Sequence, residues 1–151
     1  MKIIETIHRP PVSISPEGTI AQAAVEMERA GVGVLGVVDG DQLVGIVTDR
    51  DLVRRALATN TAPDARVDSI MSMPVVTIDA SAELHDAFAL FRTNAVRRLA
   101  VVRNGQFVGI VAIDDLLVHL AADLSDVARP VTAELLFSQH DVSVPAVIAA
   151  S

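Results

Sequence analysis

Thr48-Asp49-Arg50-Asp51 sets a hydroxyl, a guanidinium and two carboxylates side by side, directly after the apolar run Leu43 to Val47. A hydroxyl that ends a buried strand and precedes a helix can donate to a phosphate or ribose oxygen. The free N–H groups and positive dipole end of that helix favour anions as well. Asp51, one turn in, has two acceptor oxygens for a pair of ribose hydroxyls. Arg50 lies in the first turn, where it is placed to reach phosphate. Gly45 permits close backbone approach within the strand. The same Thr-x-x-Asp spacing is also that of a capping box, which stabilises a helix start by about 1 kcal/mol with no ligand at all. The local pattern alone favours the cap, and both readings stay open.

Arg97 and Arg98 form the second cationic candidate. On a strand they alternate faces, so at most one points into a given cleft. The alternative for each is a solvated strand edge or a salt bridge. Arg54 and Arg55 follow Asp51 on the same helix and read as surface or dimer-contact residues. Thr77 and Ser13 occupy matching positions in two short strands, and one such hydroxyl could face a cleft. Val12, Ile14, Val76 and Ile78 could flank a planar ring, although core packing suffices to explain most of them. No catalytic or metal-ligating set emerges. His8, His85, His119 and His140 lack metal-ligand spacing, and no nucleophile elbow, phosphate loop or dinucleotide fingerprint occurs. The carboxylate pairs Asp49/Asp51 and Asp114/Asp115 open helices, where the dipole favours acids.

Composition narrows the classes further. Hydrophobic residues make up 51% and charged residues 21% of the 151 residues, which rules out intrinsic disorder and predicts one compact unit. The net charge of −7 repels phosphate backbones, and the chain has neither Trp nor Tyr for base stacking. Both facts argue against a nucleic-acid partner. The absence of cysteine excludes disulfides and thiolate chemistry. No apolar run approaches the roughly 20 residues of a membrane span, and no secretory signal is visible. The expectation is a soluble, cytoplasmic protein with no membrane partner.

The elements that must position these residues come from an internal repeat. Offset by 64 positions, residues 10–52 align without gaps to residues 74–116 with 15 identities in 43 pairs. They include Val37-Val38 with Val101-Val102, Gly45-Ile46-Val47 with Gly109-Ile110-Val111, and Asp51-Leu52 with Asp115-Leu116. Each copy reads as strand, helix, strand, strand, helix. In the first copy these are Val12 to Ile14, a helix capped by Thr19 and Gln22 that ends at Gly31, Val34 to Val38, Leu43 to Val47, and Asp49 to Ala58. In the second they are Val75 to Ile78, Glu83 to Asn94, Leu99 to Val102, Phe107 to Val111, and Asp114 to Asp123. Asp39-Gly40 and Asn104-Gly105 are hairpin turn signals. A copy near 50 residues buries too little alone, so the two are expected to share one interior. The expected divisions are 7–59 for the first repeat, 60–68 for a connector, 69–124 for the second repeat and 125–151 for a C-terminal extension. Arg129-Pro130 is expected to start a short separate helix within that extension, and the tail from Gln139 shows no period.

Three segments together resemble a tandem CBS-domain protein, also termed a Bateman module. Asp68-Ser69-Ile70-Met71-Ser72-Met73-Pro74-Val75 is similar to the opening of a CBS repeat. Ala95 to Val102 resembles the family's second-strand motif, with Ala100 in place of its usual proline. Gly45-Ile46-Val47-Thr48-Asp49-Arg50-Asp51 resembles its ligand motif. The resemblance implies an α/β (α+β) fold of two pseudo-symmetric βαββα CBS repeats packed through their sheets, with two clefts, plus the short appended element. It implies that Thr48 and Asp51 serve an adenosine-containing ligand such as AMP, ADP, ATP or S-adenosylmethionine. Asp115, Arg50, Arg97, Arg98 and Thr77 are the further ligand candidates. In the second copy Ala112 replaces Thr48 and Asp114 replaces Arg50, so the site using Asp115 is expected to be weaker or empty. The resemblance also implies a homodimer, a non-enzymatic regulatory role and a downstream effector protein of unknown identity. The alternative is a ligand-independent structural or interaction dimer of the stress-protein type.

Overall fold

Apolar runs spaced by 64 residues fold the same three-stranded sheet twice. The computed structural model describes residues 1–141. In the first sheet β1 (Ser13–Ile14) runs parallel to β2 (Val34–Asp39), which pairs antiparallel with β3 (Gln42–Thr48). In the second, β4 (Thr77–Asp79), β5 (Arg98–Arg103) and β6 (Gln106–Ala112) repeat that order. Even the irregularities recur: the register shifts at Val37/Val38 and again at Val101/Val102. The β1–β2 and β4–β5 crossovers are α1 (Ile20–Ala30) and α3 (Leu84–Asn94). Thr19 caps α1 as its spacing predicts: its hydroxyl accepts from the Gln22 N–H at 3.0 Å, and Gln22 accepts from the Thr19 N–H at 2.9 Å.

The described chain divides into two units, Met1–Ile113 and the helical part from Asp114 onward. Within the first unit the buried positions follow the repeat. Leu35, Val37 and Val47 are fully buried, and so are their counterparts Leu99 and Val101, with Val111 at 2% exposure. The two sheets meet along β3 and β6. Gly36 in β2 leaves the space that the Phe107 ring of β6 fills, since a Cβ there would collide with the ring.

Each repeat also lends its opening segment to the other. The Ile3 and Ile4 N–H groups donate to the Ala82 and Ala80 carbonyls in the second repeat. The Val67 and Asp68 N–H groups donate to the Gly18 and Pro16 carbonyls in the first. Ile3 and Val67 are both fully buried, and each such burial stabilises by about 1.5–3 kcal/mol. Thus the stretch expected as a connector, Asn60 to Asp68, ends in a 3-10 turn (Val67–Ser69) whose Val67 belongs to the first repeat's core.

After β3 the chain enters α2 (Asp49–Asp51) and passes directly into one π-helical turn (Leu52–Leu57), in which the Ala58 N–H reaches back to the Val53 carbonyl. The second repeat instead leads into α4 (Ile113–Asp141), which has 29 residues and contains Pro130. This corrects the expectation of a helix ending near Asp123 and a separate one starting at Arg129. Pro130 removes one N–H and crowds the carbonyl four residues earlier, but Ala121, Ala122, Leu124 and Ala128 are strong helix formers that carry the helix through. On α4, Leu117, Leu124, Val127 and Val131 are all exposed. Residues 142–151, most of the tail that begins at Gln139, lie outside the described residues.

Candidate functional site

The lead-in segment of the second repeat creates the site. Met71 and Ser72 run against β3, where the Ile46 N–H donates to the Ser72 carbonyl at 3.1 Å and the Ser72 N–H returns to the Ile46 carbonyl at 2.8 Å. Only glycine fits beside them: a Cβ on Gly45 would strike the Met71 sulfur and lie 3.2 Å from the Ser72 carbonyl oxygen. The close approach expected at Gly45 is therefore filled by protein, not ligand. Gly109, its counterpart, faces Ile7, but its three nearest neighbours there are all side-chain atoms.

Beyond Ser72 the chain turns away from β3 and leaves a cavity of about 230 Å³. Its walls are Ile46 and Thr48 from the first repeat, Ser72, the run Pro74 to Val76, and Val96, Arg97 and Arg98 from the second. No carboxylate is among those lining residues. The lining thus brings two guanidiniums and two hydroxyls to an apolar wall. That combination suits an anion attached to an apolar group.

The expected residues separate into three groups. Thr48, Arg97 and Arg98 line the cavity. Strand alternation was expected to send at most one of the arginines there, yet both line it. Arg97 precedes β5, so the alternation of that strand does not govern it, and its carbonyl is fixed by the Ile113 N–H at 3.0 Å. Asp51 stands behind Thr48, in the capping box that the spacing allowed. The Thr48 hydroxyl accepts from the Asp51 N–H at 3.1 Å, and the Asp51 carboxylate accepts from the Thr48 N–H at 2.9 Å. The Thr48 hydroxyl proton is left for another acceptor. Arg50 and Thr77 are exposed and do not line the cavity; Thr77 instead pairs with Ala100 in the sheet. Asp115 lies exposed on α4.

Ser72 and Arg55 were not among the expected site residues. Arg55 donates to the Ile70 carbonyl at 3.1 Å and, more weakly, to the Met71 carbonyl and the Ser72 hydroxyl, each at 3.4 Å. Its Nε lies 3.6 Å from the second Asp51 carboxylate oxygen. Nothing local marks Ser72, because its place depends on which strand it docks against. Arg55 had one faint signal, the i,i+4 spacing from Asp51.

Comparison with known proteins fits this geometry. The chain matches the CBS domain family model over residues 4–58 and again over 67–122. It is 34% identical over 116 residues to an uncharacterised protein of Methanopyrus kandleri, covering 75% of this chain but 59% of that protein's length. Among solved structures, a putative signal-transduction protein with CBS domains from Burkholderia ambifaria superposes with a TM-score of 0.72 at 28% identity, covering 82% of this chain and 96% of that one. A CBS domain protein from Pyrobaculum aerophilum, complexed with AMP, superposes with a TM-score of 0.71 at 28% identity, covering 81% and 99%. With two matched repeats, two equivalent sheets and a shared interior, the chain belongs to the CBS domain family as a tandem module.

Proposed function

We propose that this module binds an adenosine-containing nucleotide in the cavity walled by Thr48, Arg97 and Arg98, and that an effector protein reads the resulting change in the pose of the repeats. One observation carries the reading: the cavity joins a hydroxyl from the first repeat to two guanidiniums from the second, so a bound anion would bridge both halves. Arg97 and Arg98 would neutralise phosphate, with Thr48 donating to a phosphate or ribose oxygen. The run Pro74 to Val76 would flank the base. Asp51 would accept from the ribose hydroxyls across Thr48. At about 230 Å³ the cavity is below the roughly 300–1,000 Å³ usual for small-molecule sites. A mononucleotide would therefore keep part of its surface in water. The AMP-bound Pyrobaculum relative supports this ligand class; ADP and ATP share its adenosine, and S-adenosylmethionine shares its adenine and ribose ring but carries no phosphate. The second copy would bind more weakly or not at all, because Ala112 brings no hydroxyl. The role is regulatory and cytoplasmic on this reading, with no chemical step.

Calorimetric titration with AMP, ATP and S-adenosylmethionine tests it. AMP is expected to bind, and Arg98→Ala to weaken it by at least tenfold, as for a charged hydrogen bond worth about 1.5–3 kcal/mol. Unchanged affinity in Arg98→Ala, or no binding by any of the three, would end the proposal.

A second reading rests on α4. Its exposed Leu117, Leu124, Val127 and Val131 favour a homodimer or scaffold that needs no ligand. Sedimentation that shows a stable dimer, with thermal stability unmoved by any nucleotide, would favour this reading over the first.

A further inference from the structure

Arg55 is a guanidinium that neither the cap nor the cavity explains. It stands on the π-helical turn that follows Asp51, and such turns recur at functional positions. With one edge it faces Asp51 at 3.6 Å, and with the other it holds the Ile70 carbonyl at 3.1 Å. Both regions adjoin the cavity. Asp51 shares a capping box with the cavity residue Thr48, and Ile70 lies two residues before the cavity residue Ser72. The Asp51 side chain is 14% exposed and that of Arg55 51%, so the pair is shielded from water on its carboxylate side only. The planar guanidinium fork can serve both regions at once, whereas a lysine ammonium is a single point charge.

We propose that Arg55 is a positioning residue that couples whatever engages Asp51 to the seat of the segment 70–72, and through Ser72 to the cavity wall. When Asp51 holds Arg55, the fork is oriented to pin the Ile70 carbonyl. When the Asp51 oxygen facing Arg55 is taken by another donor or loses its charge, that orientation is lost and the segment loosens. The coupling is internal to the chain; its use in signalling rests on the nucleotide reading above.

The test is a double-mutant cycle read at one amide. The Ser72 N–H donates to the Ile46 carbonyl, so its hydrogen exchange reports the seat of the segment, and the Leu99 amide in β5 serves as the reference. Relative to Leu99, Arg55→Ala is expected to speed Ser72 exchange about tenfold. Asp51→Asn, which keeps an acceptor for the Thr48 N–H, is expected to speed it about threefold in the wild-type background and by less than about 1.5-fold in Arg55→Ala, a non-additivity typical of residues in one network. Equal effects of Asp51→Asn in both backgrounds would overturn the proposal, as would an unchanged Ser72 in Arg55→Ala. Should Arg55→Ala fail to fold, Arg55→Lys replaces it in the cycle. Lysine keeps the charge but lacks the fork, so the effect of Asp51→Asn is again expected to vanish, and its persistence would overturn the proposal. Saturating AMP is the occupancy probe. It is expected to shift Ser72 exchange in wild type at least twice as much as in Arg55→Ala, and equal shifts would refute the coupling. If AMP fails to bind the wild type, the nucleotide reading falls, while the ligand-free cycle still decides the coupling.

Discussion

Gly45→Ala tests the claim that glycine is there for a backbone neighbour and not for a ligand. A Cβ on Gly45 would collide with the Met71 sulfur, lie 3.0 Å from the Met71 Cγ and 3.2 Å from the Ser72 carbonyl oxygen. The Met71 side chain can turn away, but the Ser72 carbonyl is held by the Ile46 N–H at 3.1 Å. Overpacking of this kind costs about 1–3 kcal/mol. Loss of glycine's freedom in the unfolded chain returns about 0.4–1 kcal/mol. The net expectation is a destabilisation of about 1–2 kcal/mol, or a fall in Tm of about 2–8 °C for a chain of this size. Gly109→Ala is the internal control, because its three nearest atoms all belong to the Ile7 side chain, at 2.8, 3.0 and 3.4 Å. It should cost less, by about 0.5–1 kcal/mol, since no backbone group opposes the new methyl. Urea unfolding followed by far-ultraviolet circular dichroism measures both, since the chain has no Trp or Tyr for fluorescence. Adding Met71→Ala to Gly45→Ala should recover only part of the loss. A Gly45→Ala protein as stable as wild type, or a Gly109→Ala protein that is the less stable of the two, would refute the reasoning.

Two further outcomes follow from local geometry. Ala95 ends α3 with φ at +51°, where the first repeat has Gly31 at +64°, so Ala95→Gly should stabilise and Gly31→Ala destabilise, each by about 1 kcal/mol in thermal unfolding. The Asp79 carboxyl lies below its ordinary value of 3.8, chiefly because the Ser81 hydroxyl donates to it and also because the Ser81 N–H does so at 2.8 Å. A carboxylate depressed in the folded state adds stability above its unfolded pKa, near 4, and loses it as pH falls through the folded value. Ser81→Ala should therefore raise the Asp79 pKa toward 3.8 in a carbon-detected titration. It should also weaken the protein relative to wild type above pH 4, with the two converging in acid; an unmoved Asp79 would contradict this.

The repeat made the fold readable. Identities at Val37-Val38, Gly45-Ile46-Val47 and their partners 64 residues on mark strands that must be buried in the same way. Local chemistry then supplied the punctuation: Thr19 with Gln22 at one helix start, and glycines at 31, 40 and 105 where φ is positive. The capping box at Thr48 and Asp51 was equally local, and it formed as its spacing allows. These features depend on residues within a few positions of each other, so sequence periodicity contains them. The same local rules do not predict the passage of α4 through Pro130, because one missing N–H is a small defect in a long helix rich in leucine and alanine.

What the sequence could not decide was which segment fills which gap. Val67 sits in the core of the first repeat, Ile3 is tied by its N–H to the Ala82 carbonyl of the second, and Ser72 docks on β3, whose outer edge the second repeat's lead-in covers. That exchange brings Thr48 to Arg97 and Arg98 across about fifty residues of chain and sets Arg55 against Ile70. Hydrophobic pattern dictates that a strand is buried but not by whom, since burial is non-directional. The partner is chosen by shape and by backbone hydrogen bonding across the interior, and both exist only once the two repeats have closed on each other.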